Sequence, residues 1–326
     1  IIMSLRAAIL GAGGMGKKHA QSLAKMEGVA VCAVCDIQKD SLSVFEQLYG
    51  ANTYIDFREM LDKENPDMLF VCLPPFAHHG EVEMAAERGI HIFLEKPLAL
   101  SMSQAENMVK AVEKNGVISQ VGYHYRFGAA VRHMRSLIEQ GKAGKPVLFN
   151  GQYECNSLHR PWWRKKDLSG SQMLEQAIHL YDMAVYFLGT PDTAVGHMAN
   201  LCHTEVPEYT VEDVSASLIR FRNGAIGTIS ATNCAVPGIW KNPFTLVFEK
   251  VTAHFSDPNH AEFWATSEEN PEKSVITSNT DMYEDEVQAF IKAVVEGTAS
   301  PCPIEEGLKS LSLIAQIMKN NEKGVL

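Results

Sequence analysis

Three groups of side chains have the types and spacing to do chemistry. The first is Gly11-Ala12-Gly13-Gly14-Met15-Gly16, a G-x-G-x-x-G loop. It follows an apolar run, Ala7 to Leu10, and opens a helical pattern from Met15 to Met26, the setting in which such a loop cradles a pyrophosphate. Gly11 permits the tight turn, Gly13 lets the backbone approach the phosphates, and Gly16 lets helix and strand pack closely. The helix N-terminus adds free N–H groups and a partial positive charge. Asp36 ends the next apolar run, 20 residues after Gly16, where an acid accepts hydrogen bonds from an adenosine ribose. A carboxylate there repels a 2′-phosphate, and Ile37 and Gln38 follow it rather than Arg. The loop and the acid together predict NAD rather than NADP.

The second group is Glu175, His179 and Asp182, spaced i, i+4 and i+7 in a segment read as one helix from Ser171 to Leu188. They form a polar stripe on an otherwise apolar helix. A solvated helix edge, or a core histidine with its hydrogen bonds satisfied, gives the same periodicity. The third group is Cys32-Ala33-Val34-Cys35. It lies in a run that reads as a strand, where residues three apart point to opposite faces, so one ion or disulfide does not easily take both thiols. Packing as small buried hydrophobes is the expectation. Among 12 His there is no H-E-x-x-H and no His-rich tract, and the seven Cys show no paired metal-binding cluster. No required metal is predicted.

The elements that must hold these groups change character along the chain. Up to about residue 123, strand and helix signals alternate: strands at Ala7 to Leu10, Val29 to Cys35, Asp67 to Leu73, Ile90 to Leu94 and Val117 to Val121, with helices between them. Asp56 and Ser101 read as helix caps. That alternation implies a parallel sheet with right-handed crossovers. Beyond it come a helix from Val131 to Gln140 and strands at Val147 to Glu154, Thr193 to Cys202, Val211 to Phe221 and Ala225 to Thr232. Asn223-Gly224 marks a hairpin. Two helices, Tyr283 to Glu296 and Glu305 to Asn320, close the chain. The expected fold is therefore α/β: a doubly wound Rossmann domain over 1–123, and an α+β domain over 124–326 with a large, mostly antiparallel open sheet. The last helix is expected to pack back on the first domain.

A chain of 326 residues with 46% apolar content has material for two cores. A net charge of −10 argues against nucleic acid as a partner. The run Ile1 to Leu10 has no basic flank or cleavage site and reads as a strand; no segment approaches a membrane span. Scattered cysteines suit a reducing cytoplasm.

Two further segments fall at the carboxyl ends of strands: Leu73-Pro74-Pro75-Phe76-Ala77-His78 and Glu95-Lys96-Pro97. With the glycine loop through His19, Tyr125-Arg126-Phe127, Trp163-Arg164 and Glu175 to Asp182, they appear in the order found in the Gfo/Idh/MocA family, which the chain resembles over essentially its whole length. The resemblance implies NAD bound by residues 11 to 16, Asp36, Leu73, Pro74, His78, Glu95 and Lys96. It implies Lys96 beside the nicotinamide and the reacting hydroxyl, with a tight turn that makes the Lys96-Pro97 bond cis. It makes His179 the general base for a secondary alcohol and gives Glu175 the task of orienting that base or binding a substrate hydroxyl. Tyr123, Arg126, Trp163, Arg164 and Asp182 become substrate residues, with aromatic faces suited to sugar rings. Glu175 replaces the family's usual Asp, and Ser169-Gly170-Ser171 replaces its glycine triplet, so the pocket wall is expected to differ.

The resemblance thus implies oxidation of a secondary hydroxyl on a sugar, sugar derivative, cyclitol or glycoside. A redox-neutral, NAD-retaining hydrolase or lyase is the alternative. A non-enzymatic NAD-binding regulator fits less well, because Lys96 and His179 are both kept. The family also implies a homodimer or homotetramer, formed through the bare face of the second domain's sheet.

Overall fold

A computed structural model describes residues 4–266 and 269–322, so the first three residues of the Ile1 to Leu10 run lie outside the described residues. The chain divides into two compact units, residues 1–123 with 281–308, and residues 124–280 with the chain from 309 onward.

In the first unit, β1 (Leu5–Leu10), β2 (Val29–Cys35), β3 (Asn52–Tyr54), β4 (Met68–Val71), β5 (His91–Leu94) and β6 (Ser119–Val121) form one parallel sheet. Its order is β3-β2-β1-β4-β5-β6. The connecting helices are α1 (Gly14–Leu23), α2 (Ser43–Tyr49), α3 (Phe57–Glu64), α4 (Glu81–Glu87) and α5 (Met102–Asn115). Strand order reverses between β1 and β4, the switch point outside which doubly wound sheets bind ligands. The glycine loop leaves β1 there, and Leu73-Pro74 follows β4. All of β4 and the last four residues of β1 are buried, as strands covered by helices on both faces must be.

Asp56 caps α3 by accepting the Arg58 N–H at 2.9 Å, and Ser101 caps α5 through the Gln104 N–H at 3.3 Å. The helix between β4 and β5 starts late. Pro75–Ala77 form a 3₁₀ turn instead, and α4 begins only after Gly80, which takes a left-handed φ of +89°. The late helix α10 (Met282–Glu296) completes this unit's core with Val287 and Phe290. Phe70 and Phe93 stack at 5.0 Å, and Phe290 meets each edge-on at 5.7 Å.

The second unit contains α6 (Ala129–Glu139), β7 (Pro146–Glu154), α7 (Lys166–Ser169), α8 (Gln172–Glu175), α9 (Ile178–Leu188), β8 (Pro191–Ala199), β9 (Val214–Phe221) and β10 (Ile226–Thr232). It continues through β11 (Phe244–Phe248), β12 (Val251–Asp257), β13 (His260–Ala265) and β14 (Lys273–Ile276). The eight strands form one sheet, β14-β13-β12-β11-β7-β10-β9-β8, antiparallel except where β10 pairs with β7. One face packs Phe149, Phe244 and Phe255; the Phe244 and Phe255 rings stack at 4.2 Å, and Phe187 of α9 lies 6.3 Å from Phe255. The final helix, α11 (Ile304–Glu322), reaches β8 in this unit, where Asn320 Nδ2 donates to the Ala194 carbonyl at 2.9 Å.

One expectation is corrected here, and two features go beyond the sequence reading. The hairpin at Asn223-Gly224 exists, but only Gly224 takes a positive φ, +90°; Asn223 shapes the turn by its side chain, accepting the Ala225 N–H and donating to the Leu188 carbonyl. Strands β11 to β14 were not anticipated, partly because β11 and β12 join through Glu249-Lys250, which carries no hairpin dipeptide. The single helix expected from Ser171 to Leu188 is broken. Around Gln176 (φ −109°, ψ −59°) the backbone widens, and the Ala177 N–H reaches back five residues to the Gln172 carbonyl at 3.1 Å.

Candidate active site

The glycine loop is built as its residue types require. Gly11 has a φ of +99°, and a Cβ there would sit 2.5 Å from the Cys72 carbonyl oxygen. At Gly16 a Cβ would lie 1.9 Å from the Gly11 carbonyl oxygen, so α1 can approach β1 only without a side chain. Gly13 caps α1 without a side chain, and the first turn carries no acid. A Cβ on Gly13 or Gly14 would meet nothing within 4 Å, so open space lies beside the helix N-terminus. That space and those amides fit a pyrophosphate. Asp36 Oδ2 accepts the Ala12 N–H at 2.7 Å and Oδ1 accepts the Gln38 N–H at 2.8 Å. Each carboxylate oxygen has a second lone pair, so Asp36 ties down the loop and retains acceptor capacity for a ribose.

Leu73 and Pro74 are half-buried. His78 is held from one side of its ring, while its buried Nε2 has no hydrogen-bond partner among the described residues. Its ring is buried and its Nδ1 meets Glu81 Oε1, while the Glu81 carboxylate also accepts the His79 N–H at 2.7 Å. The His78 side chain therefore shapes the turn. Burial pushes the Glu81 carboxyl up, but the contacts to His78 and to backbone N–H groups outweigh it and hold Glu81 below the usual range.

The Lys96-Pro97 peptide is cis, and Lys96 is half-buried. Glu95 turns inward: Oε1 lies 2.6 Å from His19 Nε2, and Oε2 accepts the Lys96 N–H at 3.3 Å. Its carboxylate thus ties the Lys96 backbone to His19. Glu286 of α10 joins this buried group, with ligand atoms of His19, Glu95 and Glu286 all within 4.8 Å of one another. Burial, reinforced by Glu95, drives Glu286 well above the carboxylate range. A protonated Glu286 makes the cluster electrically tolerable without an ion. Neither His19 nor Glu286 was singled out from sequence as a support of Lys96, because they lie 77 and 190 residues away from it in the chain.

In the second unit, His179 opens α9 and is 8% exposed. Its ring stacks on Tyr125 at 4.7 Å and 21°, and meets His124 edge-on at 4.5 Å. Two aromatic neighbours thus fix the plane of the imidazole. Glu175 ends α8, across the break, so the polar stripe is not one helical face. The break itself is a single widened turn, a feature that recurs at functional positions in helices. Ser171 explains part of the altered glycine triplet: its hydroxyl caps α8 by accepting the Leu174 N–H at 2.9 Å, while Gly170 supplies a φ of +84°.

Several expected substrate residues are engaged elsewhere. Arg126 and Asp182 hold each other, Nε to Oδ2 at 2.9 Å and Nη2 to Oδ1 at 2.6 Å, both buried. The pair pins the turn before α6 to α9. Arg164 donates from Nε to the Leu158 carbonyl at 3.0 Å and from Nη2 to the His159 carbonyl at 3.3 Å. Trp163 is 2% exposed in a cluster with Tyr209 and Val211. Tyr123 is fully buried. The exposed aromatic residue of this region is Trp240, whose Nε1 donates to the Tyr153 hydroxyl at 2.7 Å. His159 lies between rings, 5.4 Å from Trp240 and 4.6 Å from Trp163, and its Nε2 meets the Gln176 amide. No motif marks Trp240 or His159; only the fold sets them beside the helix break.

Cys32 and Cys35 are free thiols in β2. Burial pushes them up to about 11 and about 12, so both stay protonated and unreactive at neutral pH. A thiol pairing that sequence did not suggest does occur. Cys202 and Cys234, 32 residues apart, approach each other beside Asp213, correcting the expectation that no cysteines cluster.

Residues 5–123 match the profile of an oxidoreductase family with an NAD-binding Rossmann fold, and residues 131–267 match the GFO/IDH/MocA C-terminal domain. The myo-inositol 2-dehydrogenase of Thermotoga maritima is 26% identical, over 95% of this chain and 94% of its own. The scyllo-inositol 2-dehydrogenase (NAD(+)) of Bacillus subtilis is 31% identical, over 72% of this chain and 69% of its own. A solved structure of levoglucosan dehydrogenase in complex with NADH and levoglucosan has the same fold, with a TM-score of 0.90 at 21% identity, covering 98% of this chain and 97% of that one. With the glycine loop, Asp36, the Glu95-Lys96-Pro97 turn and a parallel sheet in 3-2-1-4-5-6 order, these matches show that the chain belongs to the GFO/IDH/MocA family of NAD-binding oxidoreductases.

Proposed function

We propose that this enzyme oxidises a secondary hydroxyl of a sugar, sugar derivative, cyclitol or glycoside. The observation that carries the reading is His179, an imidazole held nearly buried between Tyr125 and His124, in a chain whose relatives over most of its length include inositol dehydrogenases. NAD, when bound, supplies the hydride acceptor. Gly11 to Gly16 and Asp36 would hold its pyrophosphate and ribose. His179 takes the hydroxyl proton as the alcohol carbon gives up its hydride, leaving a ketone. Lys96 donates a hydrogen bond to the reacting oxygen, and Glu175 binds a neighbouring hydroxyl or orients the base. Trp240 offers an aromatic face of the kind that suits the C–H side of a sugar ring.

A panel of sugars, cyclitols and glycosides assayed for NADH absorbance tests this, with product analysis. One NADH per ketone formed is expected, and bond cleavage without net NADH would instead establish the redox-neutral route. His179→Gln is expected to lower kcat by roughly 10²–10⁴-fold with NAD affinity retained, and Lys96→Ala to lower kcat by a similar factor. Variants that bind NAD and keep full activity would overturn the assignment.

We also infer a homo-oligomer in a reducing cytoplasm. All seven cysteines are thiols outside any disulfide, and among the described residues no helix is long and apolar enough to cross a membrane. The second unit's sheet has an exposed face carrying Leu218, Ile226 and Val275 at 51%, 45% and 53% exposure. Strand register sets all three on one side.

A further inference from the structure

Strands β8, β9 and β10 are neighbours, and Ala199, Val214 and Thr232 form one paired row at the same end of the sheet. The chain just beyond that row brings together Cys202 and His203 after β8, Asp213 before β9, and Cys234 after β10. Ligand atoms of Cys202, Asp213 and Cys234 all lie within 4.8 Å of one another, and His203 Nε2 is 4.0 Å from Cys234 Sγ. We propose that Cys202, Cys234 and His203, with Asp213 completing the set, form a binding site for one divalent cation of the zinc class.

Ligand chemistry selects the ion. Two sulfurs and an imidazole exclude magnesium and calcium, which require oxygen, and suit a borderline-soft cation that accepts four ligands tetrahedrally. Zn–S bonds of about 2.3 Å and Zn–N bonds of about 2.0 Å set tetrahedral edges of roughly 3.5–3.8 Å. Cys202, Asp213 and Cys234 come within about 1.3 Å of those edges, and His203, with Nε2 4.0 Å from Cys234 Sγ, joins them by side-chain rotation. Asp213 also fits. Oδ1 accepts the Leu201 N–H at 2.9 Å, and Oδ2 accepts those of Cys202 at 2.7 Å and His203 at 2.9 Å. Three of about four lone-pair sites are filled, which leaves one on Oδ1 for an ion. The same bonds hold the loop that carries two of the other ligands.

Geometry favours a metal over a simple thiol pair, because a carboxylate and an imidazole stand beside the two sulfurs, donors that a cation uses and a disulfide does not. Binding M²⁺ replaces two S–H bonds with two M–S bonds and releases two protons to solvent, with no change of oxidation state. His203 Nε2 now lies 3.3 Å from the Asn233 carbonyl, and to coordinate as the neutral ring it exchanges that contact for the ion and carries its proton on Nδ1. The site adjoins the web that holds α8, in which Asn233 meets Gln172 and Glu212 accepts the Met173 N–H. A bound ion would therefore stiffen the support of α8.

The test is a cobalt titration of reduced, metal-free, full-length protein. One Co²⁺ per chain should produce an intense thiolate-to-cobalt band in the near ultraviolet, removed by Zn²⁺, and Zn²⁺ alone should raise Tm. Cys202→Ser and Cys234→Ser should each lose the band while still binding NAD, and His203→Ala should weaken cobalt binding by about tenfold or more. Absence of the band in the reduced wild type would overturn the proposal. A band that survives both serine substitutions would also overturn it, since the ion would then sit on other thiols. Isolation of a Cys202–Cys234 disulfide, with no cobalt uptake after reduction, would replace the metal site by a redox pair.

Discussion

Asp36 has a double role, anchoring Ala12 of the glycine loop while keeping lone pairs for a ribose. Asp36→Ala should therefore weaken NAD by about 10–100-fold, the equivalent of the roughly 1.5–3 kcal/mol of a hydrogen bond to a charged group. It should also narrow the gap between NAD and NADP; calorimetric titration with both cofactors checks this, and an unchanged NAD affinity would refute it. His91 shows how one residue sets a pH response. Its Nδ1 accepts the Ile118 N–H at 3.0 Å, a bond that only the neutral ring can make. Burial holds His91 below its ordinary range, with Asp67 pulling weakly the other way. A depressed histidine contributes stability above its unfolded value near 6.5, and loses it as pH falls through the lower folded value. The urea midpoint should accordingly fall from pH 7 to pH 5 more steeply in the wild type than in His91→Gln. Parallel slopes would show that His91 is not responsible. Residues at this scale were legible in sequence when a motif ties type to task, as with Gly11, Gly16 and Asp36. His78 and Glu95 were legible as members of motifs, but their inward orientation depends on Glu81 and His19, which no local pattern pairs with them.

At the scale of elements, the break between α8 and α9 and the Arg126–Asp182 pair decide how the second unit presents His179. An i, i+4, i+7 spacing predicts one polar face, yet it assumes an unbroken helix. The widened turn at Gln176 separates Glu175 from His179, and Asp182 faces a buried guanidinium. Removing one partner of such a pair leaves an uncompensated charge, so Asp182→Asn should cost about 3–5 kcal/mol of unfolding free energy. Replacing both, as Arg126→Met with Asp182→Leu, should recover most of that loss. Denaturant unfolding of the single and double variants decides, and additive losses would contradict the account. Arg164 and Trp163 follow the same logic: an Arg and an aromatic near a helix suggest a ligand site, but backbone carbonyls and a buried cluster claim them first.

At the scale of the whole molecule, the parallel and antiparallel sheets were both foreseeable, because alternating helix and strand signals give way to strand signals near residue 123. Strands β11 to β14 and the return of residues 281–308 to the first unit were less so. Phe290 has no signal for its partners, Phe70 and Phe93, about 200 residues earlier. The open sheet face supports a last expectation. With Leu218 and Ile226 exposed on it, Leu218→Glu with Ile226→Glu should shift the sedimentation coefficient to that of a monomer while NAD binding persists. An unchanged oligomer would place the interface elsewhere.

The amino-acid sequence by itself determined the cofactor class and the Rossmann sheet, because glycine geometry, apolar periodicity and short motifs act within a few residues of one another; it made Lys96 and His179 candidates through a family resemblance. Tertiary structure decided which polar groups face each other. Burial makes unpaired charge costly, so Arg126, Asp182, Glu95 and His78 took partners brought near by the fold. The same long-range assembly joined Cys202 to Cys234, which local spacing had kept apart.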